Sequence, residues 1–204
     1  MKKPLRILAA LAAVTMLAVS CGVVSFTGRR QLLLFSDSEI TALSDQSYSE
    51  FMSTAKISRD IEATQTLNSI GDKMVSALEA YMNSHKMGSA LKGLSWEFQL
   101  VESDQVNAFC LPSGKIVFYE GIMKYADTPD YIAVVMGHEM AHAIARHGNE
   151  RMSQQSAMNI IGNAASEIIG SKKGSTVQAL FDLGCGDHCI REAGSIQHLT
   201  SFFR

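Results

Sequence analysis

The spacing of apolar and polar residues changes along this chain, and each change marks an element. Leu32-Leu33-Leu34-Phe35 is a short apolar segment, and Ser36-Asp37-Ser38-Glu39 follows it as a capping box. Ser36 can accept the third helical N–H while Glu39 reaches back to the cap, which predicts a helix from about Asp37 to Lys56. A second predicted helix runs from about Arg59 to Met87. It places Leu67, Ile70, Met74, Leu78 and Tyr81 on one face, with its end marked by His85, Lys86 and Gly88. The period then drops to two. Trp96, Phe98 and Leu100 alternate with polar partners as a half-buried strand, and Val106 to Leu111, Pro112-Ser113-Gly114 and Lys115 to Tyr119 read as strand, turn and strand.

Helical spacing returns at Thr128-Pro129-Asp130, with a Thr N-cap, Pro at the first helical position and an acid facing the helix dipole. Tyr131 to Ile144 is mostly apolar and predicts a buried helix. Arg146 and His147 put cations in its last turn, and Gly148 is available for a left-handed cap. Glu150 to Ile169 predicts one more amphipathic helix, with Met152, Ile160, Ile161, Ala164, Ala165, Ile168 and Ile169 on its apolar stripe. Gly170 to Ser175 reads as a loop. The fold class that follows is α+β: mainly helical, with a small β-sheet preceding the helix that carries His138.

Composition sharpens the picture at a few points. A chain of 204 residues with 47% hydrophobic content can build one well-packed domain. A net charge of −2, without basic runs beyond the N-terminus, argues against nucleic acid as a partner. Residues 1–20 read as an export segment: Lys2, Lys3 and Arg6 precede an apolar run from Ile7 to Val19 that is short for a membrane span. Ala18-Val19-Ser20-Cys21 resembles the lipobox of bacterial lipoproteins, in which the Cys becomes the lipidated first residue. Cys21 is therefore the expected lipid attachment point, and 21–204 the expected mature domain. An ordinary cleaved signal or a retained anchor are the alternatives, and all three export the chain. Cys110, Cys185 and Cys189 are odd in number and impose no disulfide framework; Cys110 should pack as a small apolar strand residue.

The chemistry concentrates in His138-Glu139-Met140-Ala141-His142. Residues four apart share a helix face, so both imidazoles can address one metal ion, while Glu139 lies close enough to act as base on a water activated there. The alternative is a pair of hydrogen-bonded core histidines partnered by Glu139. His147 does not complete the metzincin pattern, in which a third His lies six residues after the second with a Gly between, because position 148 is Gly and position 145 is Ala. It reads instead as a C-terminal helix residue favoured by the dipole.

Two motifs in order resemble the M48 metallopeptidases. Asn107-Ala108-Phe109-Cys110-Leu111-Pro112-Ser113-Gly114-Lys115-Ile116 is similar to the Asn-Ala-x-x-x-Pro-x-Gly-x-Ile stretch of that family, and His138 to Arg151 is similar to its helix and continuation. Thr27 to Gln31 with Ser36 to Glu39 resembles the lipoprotein-type members. The similarity runs from about residue 27 to about 180. It implies a zinc-dependent endopeptidase of gluzincin type, with Zn2+ held by His138 and His142 and Glu139 as general base. It also implies an edge strand at Asn107 and Ala108 that holds an extended polypeptide substrate. For Asn107 a plain strand-end hydrogen bonder is the equal alternative. The lipoprotein-type members imply misfolded envelope proteins as substrates, a lipid anchor in the membrane and a site facing the periplasm.

The family's third ligand, a Glu in Glu-x-x-x-Asp some sixty residues beyond the first His, finds no counterpart. Three expectations follow. The chain is truncated or altered after about residue 180; or Cys185, His188 or Cys189 completes a different site; or Glu192 serves as the ligand. The competing function class is a catalytically inactive, peptidase-like lipoprotein that binds unfolded chains. Loss of a closing helix would expose the Ile160 to Ile169 stripe and favour an oligomer.

Overall fold

The computed structural model describes residues 21–24 and 28–169. The expected export segment at 1–20, Thr27, the loop at 170–175, and Cys185, His188, Cys189 and Glu192 lie outside the described residues, as do the side chains of the Ile160 to Ile169 stripe. In chain order the elements are β1 (Cys21–Val23), β2 (Arg30–Leu32), α1 (Asp37–Thr54), α2 (Ile61–Ser84), a 3-10 turn (Gly88–Leu91), β3 (Glu97–Val101), β4 (Ala108–Cys110), β5 (Lys115–Tyr119), α3 (Glu120–Met123), α4 (Pro129–Ile144) and α5 (His147–Ile169). This is the α+β arrangement that the hydrophobic pattern predicts.

The central sheet has the order β3-β5-β4. β3 runs parallel to β5, with Phe98 opposite Ile116, and β4 runs antiparallel to β5, with Phe109 opposite Val117. Alternation along the strands sends two sets of side chains to opposite faces. Phe98, Leu100, Ile116 and Phe118 meet Leu67 of α2 and Ile132, Met136 and Met140 of α4. On the other face Val101, Phe109 and Val117 meet Tyr48 and Phe51 of α1. Fully buried side chains such as Phe118 and Leu67 each stabilise the fold by about 1.5–3 kcal/mol. The sheet is thus a thin layer between α1 on one side and the pair α2 and α4 on the other.

The two outer strands differ in their surroundings. Beside β3, Ser58 donates its N–H to Leu100 at 3.0 Å and Glu102 donates to Lys56 at 2.7 Å, so the chain after α1 covers that edge. β4 is the other edge, and among the described residues no strand pairs with its outer side. Cys110 packs from β4 against the main core with its thiol free.

The starts of α1 and α4 follow the predicted signals, whereas α5 begins at His147, ahead of the expected Glu150, and the helix ends also differ. The Ser36–Glu39 capping box forms on both arms, and Thr128 caps α4 ahead of Pro129. α2, expected to reach Met87, stops at Ser84. Lys86 takes a left-handed φ of 59°, Met87 donates to Met82 at 2.8 Å and Lys86 donates to Asn83 at 3.1 Å, which is a Schellman closure built on lysine. α4 likewise ends on Arg146, at φ 58°, rather than on Gly148. Gly148 instead lies inside α5, where a Cβ would come within 2.6 Å of the Pro112 ring.

β1 and β2 form a small antiparallel pair, with the Cys21 backbone opposite Leu32, and the segment after them is tied to α5. Arg29 grips Glu150 through both guanidinium nitrogens at 2.7 and 2.5 Å. Ser153 Oγ accepts the Leu34 N–H at 2.8 Å, Asn149 Nδ2 donates to the Phe35 carbonyl at 3.0 Å, and Arg146 pairs with Asp37 at 2.9 Å.

Candidate metal centre

The site is built on α4, whose two sides face different environments. Ile132, Val135, Met136, Met140, Ala143 and Ile144 are buried, which fixes the rotation of the helix. That rotation leaves His138 exposed and His142 half-buried, so the predicted buried helix carries an open face. Glu139 between them is buried, at 6% exposed. Its charge reaches Cys110 on β4: burial first, and then the Glu139 carboxylate, push the Cys110 thiol well above the usual range. A thiol held in its neutral form is a poor nucleophile and a poor metal ligand.

His138 Nε2 and His142 Nε2 face each other at 3.0 Å, with the rings near perpendicular at 82°. Two imidazole nitrogens bound to one tetrahedral zinc, each about 2.0–2.1 Å away, stand about 3.3 Å apart. The pair therefore stands within about 0.3 Å of the separation that one tetrahedral zinc ion demands. A cavity of about 730 Å3 opens beside them, lined by Met74, Leu78 and Tyr81 of α2, by Gly137, His138 and His142 of α4, and by Arg29 and His147.

His147 lies elsewhere than its sequence context suggests. Expected at the C-terminus of the histidine helix, it is the first residue of α5, because the left-handed turn at Arg146 ends α4 before it. Its Nδ1 sits 2.7 Å from His142 Nδ1. Arg29 and Glu150 belong to the same neighbourhood. The Glu150 carboxyl is held below the usual range, chiefly by its hydrogen bonds from Arg29, against the opposing effect of burial, with the Arg29 charge adding to the effect. No sequence signal reports this grouping, because it depends on a non-glycine residue adopting a positive φ and on a contact across more than a hundred residues.

Asn107 and Ala108 stand where the sequence puts them, at the start of edge strand β4. Ala108 is 3% exposed within the main core, and Asn107 precedes the strand, with its carbonyl accepting the Tyr119 N–H at 3.1 Å. Among the described residues no three His, Cys, Asp or Glu side chains converge on one point that could hold a metal. Cys21 enters through its backbone alone, in β1. Among the described residues no helix is long and apolar enough to cross a membrane.

Residues 64–201 match the sequence profile of peptidase family M48, more than half of the chain. The chain belongs to peptidase family M48. Its relatives in that family include the mitochondrial metalloendopeptidase OMA1 of Arabidopsis thaliana, 37% identical over 48% of this chain and 20% of that protein. OMA1 of Homo sapiens is 24% identical over 67% of this chain and 25% of the relative. The β-barrel assembly-enhancing protease of Escherichia coli K12 is 31% identical over 50% of this chain and 19% of the relative. The chain spans a quarter or less of each of these M48 relatives.

Proposed function

We propose that the chain is a zinc-dependent endopeptidase of the bacterial cell envelope that cleaves misfolded or unfolded polypeptides. The observation that carries the proposal is the pair of Nε2 atoms 3.0 Å apart on the open face of α4, with the buried Glu139 next to His138 in the chain. His138 and His142 would hold the metal, and a third ligand would come from beyond the described residues, where Glu192 is the one glutamate. Zinc, when bound, supplies Lewis acidity: it acidifies a water and polarises a peptide carbonyl.

The chain's own groups supply the rest. Glu139 takes a proton from the attacking water onto its carboxylate and returns it to the leaving amine. The backbone of β4, beginning at Ala108 just after Asn107, presents an outer edge that no described strand covers, to which an extended substrate can add as a further strand. Such an edge accepts chains without a stable fold. The cavity walled by Met74, Leu78 and Tyr81 suits apolar side chains, which folded proteins bury and misfolded ones expose. The export segment at 1–20 and Cys21 support a lipid-anchored position facing the periplasm.

The test is zinc stoichiometry together with cleavage of an unfolded polypeptide by the purified chain and its His142→Ala variant. Tight one-to-one zinc that His142→Ala abolishes, with chelator-sensitive cleavage, is the expected result. Zinc binding indifferent to His142 overturns the site. Tight zinc without cleavage overturns the catalytic reading and leaves the peptidase-like binding protein.

A further inference from the structure

We propose that His147 is a positioning residue: it fixes the ring of His142 so that Nε2, and not Nδ1, faces His138 and the metal. The inference rests on the metal site proposed above and assigns a role to a residue outside it.

The argument begins with helix geometry. Had α4 continued, residue 147 would lie about 140° around the helix from residue 142 and would point away from it. The left-handed turn at Arg146 interrupts α4 and restarts the chain as α5 at His147. The restart swings the His147 ring back over the end of α4, to 4.9 Å between ring centroids and 2.7 Å between the two Nδ1 atoms. A left-handed turn at a non-glycine residue costs roughly 1–2 kcal/mol. It is held here by the Arg146–Asp37 pair and by the close fit of Gly148 to Pro112.

Hydrogen-bond logic gives the role. Both ring nitrogens of His142 are engaged, Nε2 toward His138 at 3.0 Å and Nδ1 toward His147 at 2.7 Å. A nitrogen that faces a metal must present its lone pair, so the proton of the neutral ring belongs on the other nitrogen. With His147 Nδ1 as acceptor, His142 Nδ1 carries that proton and Nε2 is left basic. His147 is excluded as a ligand of the same ion, because it sits on the opposite side of the His142 ring from His138. One turn along α5 from His147, Glu150 is 10% exposed at its side chain and clamped by both nitrogens of Arg29. Outer contacts of this kind typically change metal affinity by 10- to 100-fold when removed.

The experiment measures zinc affinity by chelator competition for the wild-type chain, His147→Phe, His147→Asn and His142→Ala, with thermal melting as the control for folding. His147→Phe keeps bulk but offers no acceptor, and is expected to weaken zinc binding by about 10- to 100-fold. His147→Asn places an amide oxygen near the position of Nδ1, and is expected to recover most of that loss. Wild-type affinity in His147→Phe overturns the proposal, as does equal weakening in Phe and Asn variants that melt like wild type. If His147→Phe does not fold, nitrogen-15 NMR of the zinc-loaded wild-type chain decides: a proton on His142 Nδ1 supports the proposal, and one on Nε2 overturns it. Zinc binding that survives His142→Ala would instead overturn the metal site itself.

Discussion

Ser44 Oγ accepts the backbone N–H of Ser113 at 3.0 Å and donates to Ser113 Oγ at 2.8 Å, with both residues out of solvent. The pair ties α1 to the turn between β4 and β5, and so holds the edge strand in place. Ser44→Ala leaves a buried N–H and a buried hydroxyl without this partner, which costs about 1–3 kcal/mol. Urea unfolding of the variant should show a lower midpoint with an unchanged slope.

The proton-transfer role of Glu139 predicts a specific separation of effects. Glu139→Gln keeps the shape and the neighbouring histidines but removes the base. Cleavage of an unfolded polypeptide should fall by at least about 100-fold, while zinc stoichiometry stays at the wild-type value. Retained cleavage would remove Glu139 from the mechanism.

Tyr48 on α1 donates its hydroxyl to Glu97 on β3 at 2.6 Å, and Lys115 lies 3.2 Å from the same carboxylate. The hydrogen bond from Tyr48, more than the contacts with Lys115, holds the Glu97 carboxyl below its usual range against the effect of burial. A carboxyl whose folded pKa is depressed contributes stability above its unfolded value, near 4.3, and loses it as pH falls through the folded value. Tyr48→Phe should therefore melt below wild type at neutral pH by less than about 1 kcal/mol, given the exposure of Glu97. The gap should narrow as pH drops below about 4. Paired thermal melts between pH 3 and pH 7 measure it.

Gly71 of α2 lies against the Phe98 ring, where a Cβ would come within 2.4 Å of it. Gly71→Ala gains up to about 1 kcal/mol in helix propensity but forces a buried ring to move, at about 1–3 kcal/mol. The clash wins, and the variant should unfold at lower urea than wild type.

Lys86 predicts a change of opposite sign. It is exposed and holds φ 59° at the end of α2. Relief of the left-handed strain is worth about 1–2 kcal/mol, and the added chain entropy of glycine takes back about 0.5–1. Lys86→Gly should raise stability by up to about 1 kcal/mol, read as a higher melting temperature.

Lys86 and Arg146 also mark where sequence reading runs out. Element types and the starts of α1 and α4 are legible because Ser36, Glu39, Thr128 and Pro129 act on their own few neighbours. Helix ends are less so, since a left-handed lysine or arginine leaves no trace in composition. His138, Glu139 and His142 could be read from local spacing, because four residues on a helix make a face whatever surrounds it. His147 was placed wrongly for the same reason inverted: its neighbourhood is set by the backbone break at Arg146. Arg29 and Glu150 meet only through tertiary structure, and the parallel pairing of β3 with β5 is equally non-local.

The contacts of residues 29–37 with α4 and α5 bear on how the molecule assembles. Arg29 with Glu150, Leu34 with Ser153, Phe35 with Asn149 and Asp37 with Arg146 join positions 109–121 apart in the chain. Closing loops of that size costs roughly 4 kcal/mol of chain entropy before any contact repays it. Local helices and the β4–β5 hairpin form against far smaller penalties, so the N-terminal clasp closes late in folding.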